Sequence, residues 1–319
     1  MCNARVNFSL VLAIGFKVMP MTDSIVSPRE EASPYSAGTS APFSVGEARG
    51  LDAVRRIRTL HLAQAKQEGE KFSMLTCYDA MTAQIFDTAG IEVLLVGDSA
   101  GNVVLGQSST LEISLNQLIP LVRAVSSAAQ RALVLADLPF GSYEESPAQA
   151  VRSAVRLMKE GGAHAVKMEA TAYYTEHVQA LTNAGIPVMA HVGFTPQSEH
   201  ALGGFRVQGR AGSSERILSD ALALQEAGAF AVLAEMVTLR TASLLESSLS
   251  VPTIGIGAGP ATTGQVLVWQ DAFGLNTGQT PRFVKKYADL AGILSEAART
   301  YRADVRAGTF PADEHSFKA

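Results

Sequence analysis

A chain of 319 residues, 47% of them apolar, is long enough for one (β/α)8 barrel of about 250 residues with extensions, or for two small domains. Its 26 basic and 30 acidic residues leave a net charge of −4 and form no basic tract, which argues against nucleic acid and acidic membrane surfaces as partners. Two cysteines, Cys2 and Cys77, build no disulfide framework or Cys-rich zinc site and fit a reducing, cytoplasmic compartment.

Residues 1–20 place Arg5 ahead of an apolar run from Phe8 to Phe16. The run resembles a signal-peptide core but is too short to span a bilayer as a helix. No small-x-small cleavage site follows cleanly, and Met19 and Met21 offer alternative starts. An over-long start and a targeting or disordered tail both fit. Residues 21–48, rich in Ser, Pro, Ala and Glu without an apolar period, read as a disordered linker. The expected division is therefore a poorly ordered extension, 1–48, and one catalytic barrel domain, 49–319. From Leu51 to Glu70 the spacing of Leu51, Val54, Ile57, Leu60 and Ala63 predicts an amphipathic helix, a lid over one barrel end.

Alternation follows. Strands are predicted at 72–77, 93–97, 133–136, 165–169, 187–191, 229–234 and 253–257, with helices at 80–89, 115–129, 147–160, 174–184, 213–227 and 239–248. Several helices end in Ala-Gly or Gly-Gly, the left-handed cap that stops a helix before the next strand. An eighth strand at 265–269 is possible, although the same residues could begin a helix, and 281–305 reads as a helical tail packed outside the barrel or on a neighbouring subunit. Repeated strand–helix units with right-handed crossovers give a parallel α/β fold, here a (β/α)8 TIM barrel with an N-terminal helix and a C-terminal helical extension.

The chemistry sits where strands end. Asp98, Asp137, Glu169 and Glu235 each close or follow an apolar run, and His191 closes another. One acid after a strand is often a helix cap; four acids and a histidine at the same end of one sheet mark the barrel face that carries active sites. Asp98, Asp137 and Glu169 are hard oxygen donors of the kind Mg2+ takes alongside retained waters and a chelating substrate. Lys167 and Glu169, two apart on a strand, share a face, and a buried lysine there needs a carboxylate or an anionic ligand. Gly255-Ile256-Gly257-Ala258-Gly259 is a poor dinucleotide fingerprint, because Pro260 stands where the third glycine belongs; it reads as a tight turn after a strand. His61, His164, His177, His200 and His315 lack metal-ligand spacing and read as surface or capping residues. Tyr78-Asp79 ends the first strand and is placed to touch substrate, although Asp79 is expected to cap the next helix.

Taken together, these stretches resemble the ketopantoate hydroxymethyltransferase family. The likeness rests on Leu75-Thr76-Cys77-Tyr78-Asp79, Leu94-Leu95-Val96-Gly97-Asp98-Ser99, Ala136-Asp137-Leu138-Pro139-Phe140, Val166-Lys167-Met168-Glu169 and Gly193-Phe194-Thr195-Pro196-Gln197-Ser198, continued by Gly203 to Arg210, Ile254 to Gly259 and Glu314 to Phe317. It covers about residues 52–317. The resemblance implies transfer of a hydroxymethyl group from 5,10-methylenetetrahydrofolate to 3-methyl-2-oxobutanoate, giving 2-dehydropantoate for pantothenate and coenzyme A synthesis through a magnesium-stabilised enolate. It implies Asp98, Asp137 and Glu169 as Mg2+ ligands, and Asp98, Ser99, Asp137, Lys167 and His191 as substrate contacts. Glu235 would be the proton acceptor, and the assembly a homodecamer. The chain departs from the family pattern at Gln107-Ser108-Ser109, at Ala170-Thr171 and at Thr238, none of them a proposed ligand. Lyases and mutases of the isocitrate lyase and phosphonopyruvate kind also use such enolates, but the Lys-Lys-Cys-Gly-His type of mobile loop many of them carry is absent here. A catalytically silent binding barrel is the other rival, and the intact set of acids argues against it.

Overall fold

The computed structural model of the chain describes residues 49–210 and 212–316. The proposed extension 1–48 lies outside the described residues. Eight parallel strands close into a barrel in sequence order: β1 (Phe72–Thr76), β2 (Val93–Val96), β3 (Leu133–Asp137), β4 (Ala165–Glu169), β5 (Val188–Gly193), β6 (Ala231–Glu235), β7 (Thr253–Ile256) and β8 (Gly264–Leu267). The eighth strand is real, and pairs with β1 from Phe72↔Gly264 to Leu75↔Leu267. The predicted helices stand close to their expected bounds: α2 (Ala80–Thr88), α3 (Leu115–Ala128), α4 (Pro147–Lys159), α5 (Thr175–Asn183), α6 (Ser214–Glu226) and α7 (Leu239–Ser248), following the floor helix α1 (Thr59–Glu68). Their starts are chemically marked. Asp79 accepts from Met81 N and Thr82 N to cap α2, Ser114 and Gln117 box the start of α3, and Ser146 with Pro147 opens α4.

Alternation along each strand sorts side chains between two cores. One set points into the barrel, where Met74, Leu95, Leu135, Met189 and Leu233 stack with Leu51, Ile57, Leu62 and Ala65 from the N-terminal segment. The other set meets the helices outside. Truncating one inner leucine to alanine would cost about 2–5 kcal/mol. The inner filling makes the barrel a packed scaffold and leaves only the last residues of each strand for chemistry.

Three expectations are corrected. The segment from Leu51 to Glu70 is not one helix: Gly50–Ala53 forms a 3-10 turn, the chain then extends, and the helix begins at Thr59. Leu60, expected on its buried face, is exposed, whereas Leu62 is fully buried. The segment plugs the end of the barrel where the strands begin. The tail helix α8 spans Leu290–Ala307, and 281–289 is not helical; α8 has no buried residue. His177, expected at the surface, is buried and meets the ring of Tyr174 edge-on at 5.1 Å.

Because Leu51 already belongs to the barrel floor, a chain starting at Gly50 is expected to fold and keep its activity. Thermal melting and a turnover assay of that chain beside the full-length protein check this; aggregation or lost turnover would assign residues 1–48 a structural role.

Candidate active site

The register of the barrel assembles the site. Asp137 is opposite Lys167 across β3 and β4, Glu169 opposite His191 across β4 and β5, and Gly193 opposite Glu235 across β5 and β6. The backbone ladder runs one residue past these pairs, with Leu138 N donating to Lys167 O, Ala170 N to His191 O, and Phe194 N to Glu235 O. That continuity fixes the rim residues on strands instead of loops. Asp98 follows β2, its N–H donating to Asp137 Oδ2 at 2.9 Å. All seven sequence-predicted site residues thus fall on one arc from β2 to β6: Asp98, Ser99, Asp137, Lys167, Glu169, His191 and Glu235.

Glycine makes room at two points. A Cβ at Gly97 would stand 2.9 Å from Ser99 Oγ and 3.2 Å from Asp137 Oδ2. Gly193, at φ 95°, leaves no space for one, since Glu235 O and Val237 Cγ1 crowd the position. On the other side of Glu235, Met236 takes φ 46°, the only positive φ recorded for a non-glycine among the described residues. Its N–H donates to Ile256 O and its carbonyl accepts from Gln208 N, both at 2.8 Å. Two bonds therefore hold a backbone strained by about 1–3 kcal/mol next to the Glu235 carboxylate.

The electrostatics are those of crowded acids. Asp98, Asp137, Lys167, Glu169 and His191 are buried, and Glu235 is partly so. Lys167 Nζ lies 2.7 Å from Asp137 Oδ1. Burial alone would favour a neutral lysine, but Asp137, Asp98 and Glu169 outweigh it and hold the ammonium. Burial pushes the Asp137 carboxyl up to about 7 against the pull of Lys167, with Asp98 adding repulsion. Burial likewise raises Glu169 well above the carboxylate range, helped by Asp98, and lifts Glu235 to about 7. His191 is driven well below its ordinary value by burial and then by Lys167, so its ring is neutral. Its Nδ1 is 3.4 Å from Lys167 Nζ and its Nε2 is 3.4 Å from Glu235 Oε2. Accepting from the lysine at Nδ1 places the proton on Nε2, which makes no hydrogen bond although Glu235 Oε2 is nearby.

Sequence reasoning missed two members. Gln197, in the turn after β5, is buried: its Nε2 donates to Asp98 Oδ2 at 2.8 Å, and its backbone N–H donates to Glu169 Oε2 at 3.0 Å. Tyr143, after β3, donates to Gln197 Oε1 at 2.7 Å. Pro196 signals the turn, but nothing in the sequence signals how far the glutamine reaches. Tyr78 reaches the site: its hydroxyl is 2.8 Å from Ser99 Oγ, so it braces a site residue. The glycine run begins inside β7, which holds Gly255 and Ile256, and turns only from Gly257 (φ 61°) to Gly259 (φ 79°), with the ring of Phe283 against Gly257. Thr238 caps α7 by accepting from Thr241 N, and Ser109 caps a 3-10 turn at Thr110–Glu112, so both departures have local structural uses. Cys77 is free and buried, its thiol pushed up to about 11 by burial.

Among the described residues, no group of three or more His, Cys, Asp or Glu side chains has the spacing of a ready-made ion cage. The donor chemistry nevertheless fits a hard divalent cation. Three buried carboxylates face a single buried ammonium, and an ion that keeps waters and takes substrate oxygens needs only one or two carboxylates in direct contact. A cavity of about 1250 Å³ reaches the cluster at Glu235 and continues past Phe205 and Phe283. No helix among the described residues is long and apolar enough to cross a membrane.

The sequence matches the ketopantoate hydroxymethyltransferase family over residues 56–313. It is 58% identical over 291 residues to a 3-methyl-2-oxobutanoate hydroxymethyltransferase of Paenarthrobacter aurescens, covering 91% of this chain and 97% of that protein. To the protein of the same name from a Nocardioides species it is 57% identical, over 93% of this chain and all of the other. Among solved structures it is similar to phosphonopyruvate hydrolase crystallised with oxalate and Mg++, with a TM-score of 0.53 at 15% identity, covering 81% of this chain and 93% of that one. A 2,3-dimethylmalate lyase of the PEP mutase/isocitrate lyase superfamily gives 0.52 at 17% identity, over 81% and 91% of the two chains. These two likenesses concern the fold.

Proposed function

The chain belongs to the ketopantoate hydroxymethyltransferase family, and from that premise we propose that it transfers a hydroxymethyl group from 5,10-methylenetetrahydrofolate to 3-methyl-2-oxobutanoate, giving 2-dehydropantoate. The observation that carries the reading is the arc of Asp98, Asp137, Lys167, Glu169 and Glu235 on the rim of β2 to β6. Asp98, Asp137 and Glu169 would hold Mg2+. When bound, the ion supplies a Lewis acid for the keto oxygen of the 2-oxo acid and so makes the C3 proton more acidic.

The chain's own groups do the rest. Lys167 and the Ser99 hydroxyl, braced by Tyr78, bind and orient the anionic substrate. Glu235 accepts the proton as the C3–H bond breaks, from a carboxyl whose raised value suits a base working near neutrality. The neutral His191 ring lines the pocket beside Glu235, its Nε2 3.4 Å from Oε2. The C3 carbon then forms its bond to the methylene carbon of the folate as one C–N bond opens; water adds its oxygen to the same carbon as the second C–N bond breaks, and the C3 proton and the remaining water proton end on the two nitrogens of the departing tetrahydrofolate. The cavity that meets Glu235 offers room for a second, larger substrate. We place the reaction in the cytoplasm, in keeping with the free Cys77. We assign the chain to a homodecamer, as the family resemblance implies, and the exposed Ile293, Leu294 and Tyr301 of α8 favour such self-association.

Purified protein supplied with Mg2+, 3-methyl-2-oxobutanoate and 5,10-methylenetetrahydrofolate is expected to form 2-dehydropantoate and tetrahydrofolate in equal amounts. Absence of the product, or cleavage of the 2-oxo acid without use of folate, would refute this reading and favour a lyase on the same barrel.

A further inference from the structure

Gln197 is not a rim acid, yet it binds two of them. Its side-chain N–H reaches Asp98 Oδ2 at 2.8 Å and its main-chain N–H reaches Glu169 Oε2 at 3.0 Å. A second bond from Nε2 goes to Leu138 O at 3.1 Å. The amide is held in one orientation. Tyr143 donates to Oε1 at 2.7 Å, and the same hydroxyl lies 3.2 Å from Glu169 O. Were the amide flipped, its oxygen would face both the Asp98 carboxylate and the Leu138 carbonyl, which only a donor can satisfy. Tyr143 is itself buried and stacked edge-on against Tyr174 at 5.8 Å. Gln197 thus joins the ends of β2 and β4 through one residue carried on the turn after β5.

We propose that Gln197, oriented by Tyr143, is a positioning residue that sets how far apart the Asp98 and Glu169 carboxylates stand and which of their oxygens face the metal. The inference rests on the proposed metal role of those two acids. Two buried carboxylates repel each other, and without fixed donors they would turn away from one another or bind a proton. Gln197 engages one oxygen of each, Oδ2 of Asp98 and Oε2 of Glu169, leaving Oδ1 and Oε1 outside these bonds. Being neutral, it orders the acids without cancelling the charge that attracts a cation. Groups that orient metal ligands typically contribute about 10–100-fold to affinity.

Two variants test this, Gln197→Leu and Tyr143→Phe. The second is the gentler, since it removes one hydroxyl and keeps the ring. Mn2+ binding followed by electron paramagnetic resonance, without substrate, is read beside the melting temperature of the metal-free protein. The expected result is a loss of Mn2+ affinity of about 10–100-fold for Gln197→Leu and a smaller loss in the same direction for Tyr143→Phe. Gln197→Asn, which keeps the amide but cannot span the distance, should not rescue it. A merely structural role would lower the melting temperature and leave affinity untouched. If Gln197→Leu does not fold, Tyr143→Phe alone decides: wild-type Mn2+ affinity in that variant overturns the inference. Should the wild-type protein bind no Mn2+ that depends on Asp137, the metal reading and this inference fall together. If it does bind and both variants match it, only the role of Gln197 falls.

Discussion

Asp137→Asn is expected to reduce turnover by orders of magnitude while the barrel stays folded. The change is nearly isosteric. An asparagine oxygen can still accept from Asp98 N, the bond that Oδ2 makes now at 2.9 Å. What disappears is a formal charge from the set proposed to attract Mg2+, and the partner that Lys167 meets at 2.7 Å. Asp98 and Glu169 remain to hold the ammonium. Metal-free protein has little to lose, because burial already makes the ionised Asp137 costly, its carboxyl being raised to about 7. Without metal, the melting temperature at alkaline pH is therefore expected to hold or rise. Mg2+ titration by calorimetry, run beside thermal melting, separates the two effects. A titration indistinguishable from wild type would remove Asp137 from the ligand set.

The parts of the molecule legible in the sequence are those in which local pattern and tertiary demand coincide. Apolar runs such as Val93-Leu94-Leu95-Val96 have to be buried on both faces, and in a barrel they are. The acids that end them were readable as a site because parallel strands all point their C-terminal ends the same way. The eighth strand was ambiguous because Gln265 within it is exposed, and a short helix starts at Trp269 directly after it.

Elsewhere a distant partner overrode the local pattern. The spacing of three through Leu51, Val54 and Ile57 mimics a helix, but Arg131 draws the segment out by donating to Val54 O and Leu51 O. Arg56 also donates there, to Ala129 O and Gln130 O. Residues 281–289 lose their helix similarly, with Tyr287 N bonded to Ala272 O and Leu290 N to Phe273 O. Gln197 belongs to the same class. Its partners Asp98 and Glu169 lie 99 and 28 residues away, and no local signal encodes contacts that exist only once the barrel has closed.

Glu235→Gln is expected to keep Mg2+ and 3-methyl-2-oxobutanoate binding and to lose most proton transfer. Glu235 ends β6, while the proposed ligands belong to β2, β3 and β4, with His191 of β5 between. Its nearest recorded charged or ionisable contact is the neutral His191, not a metal ligand. Glutamine preserves shape, but its amide cannot take the proton that a carboxylate takes. General-base contributions run to about 10²–10⁴-fold in rate, so turnover should fall within that range. Exchange of the substrate's C3 proton with deuterated water should fall with it. The pH behaviour gives an independent sign. Burial raises the Glu235 carboxyl from 4.5 to about 7, so the folded protein is favoured below the lower value and loses that advantage as pH rises through the upper one. Across that window the wild-type protein, without metal, should lose on the order of 3 kcal/mol that the variant keeps. Melting of the variant relative to wild type should therefore improve from about pH 4 to pH 8. The acidic limb of the wild-type rate profile, at or below about pH 7, should vanish in the residual activity of the variant. Proton exchange followed by NMR, with calorimetric substrate binding beside it, decides the role. Exchange at the wild-type rate would move Glu235 to a later step, such as protonating the departing folate. Loss of metal-dependent binding instead would place Glu235 among the ligands.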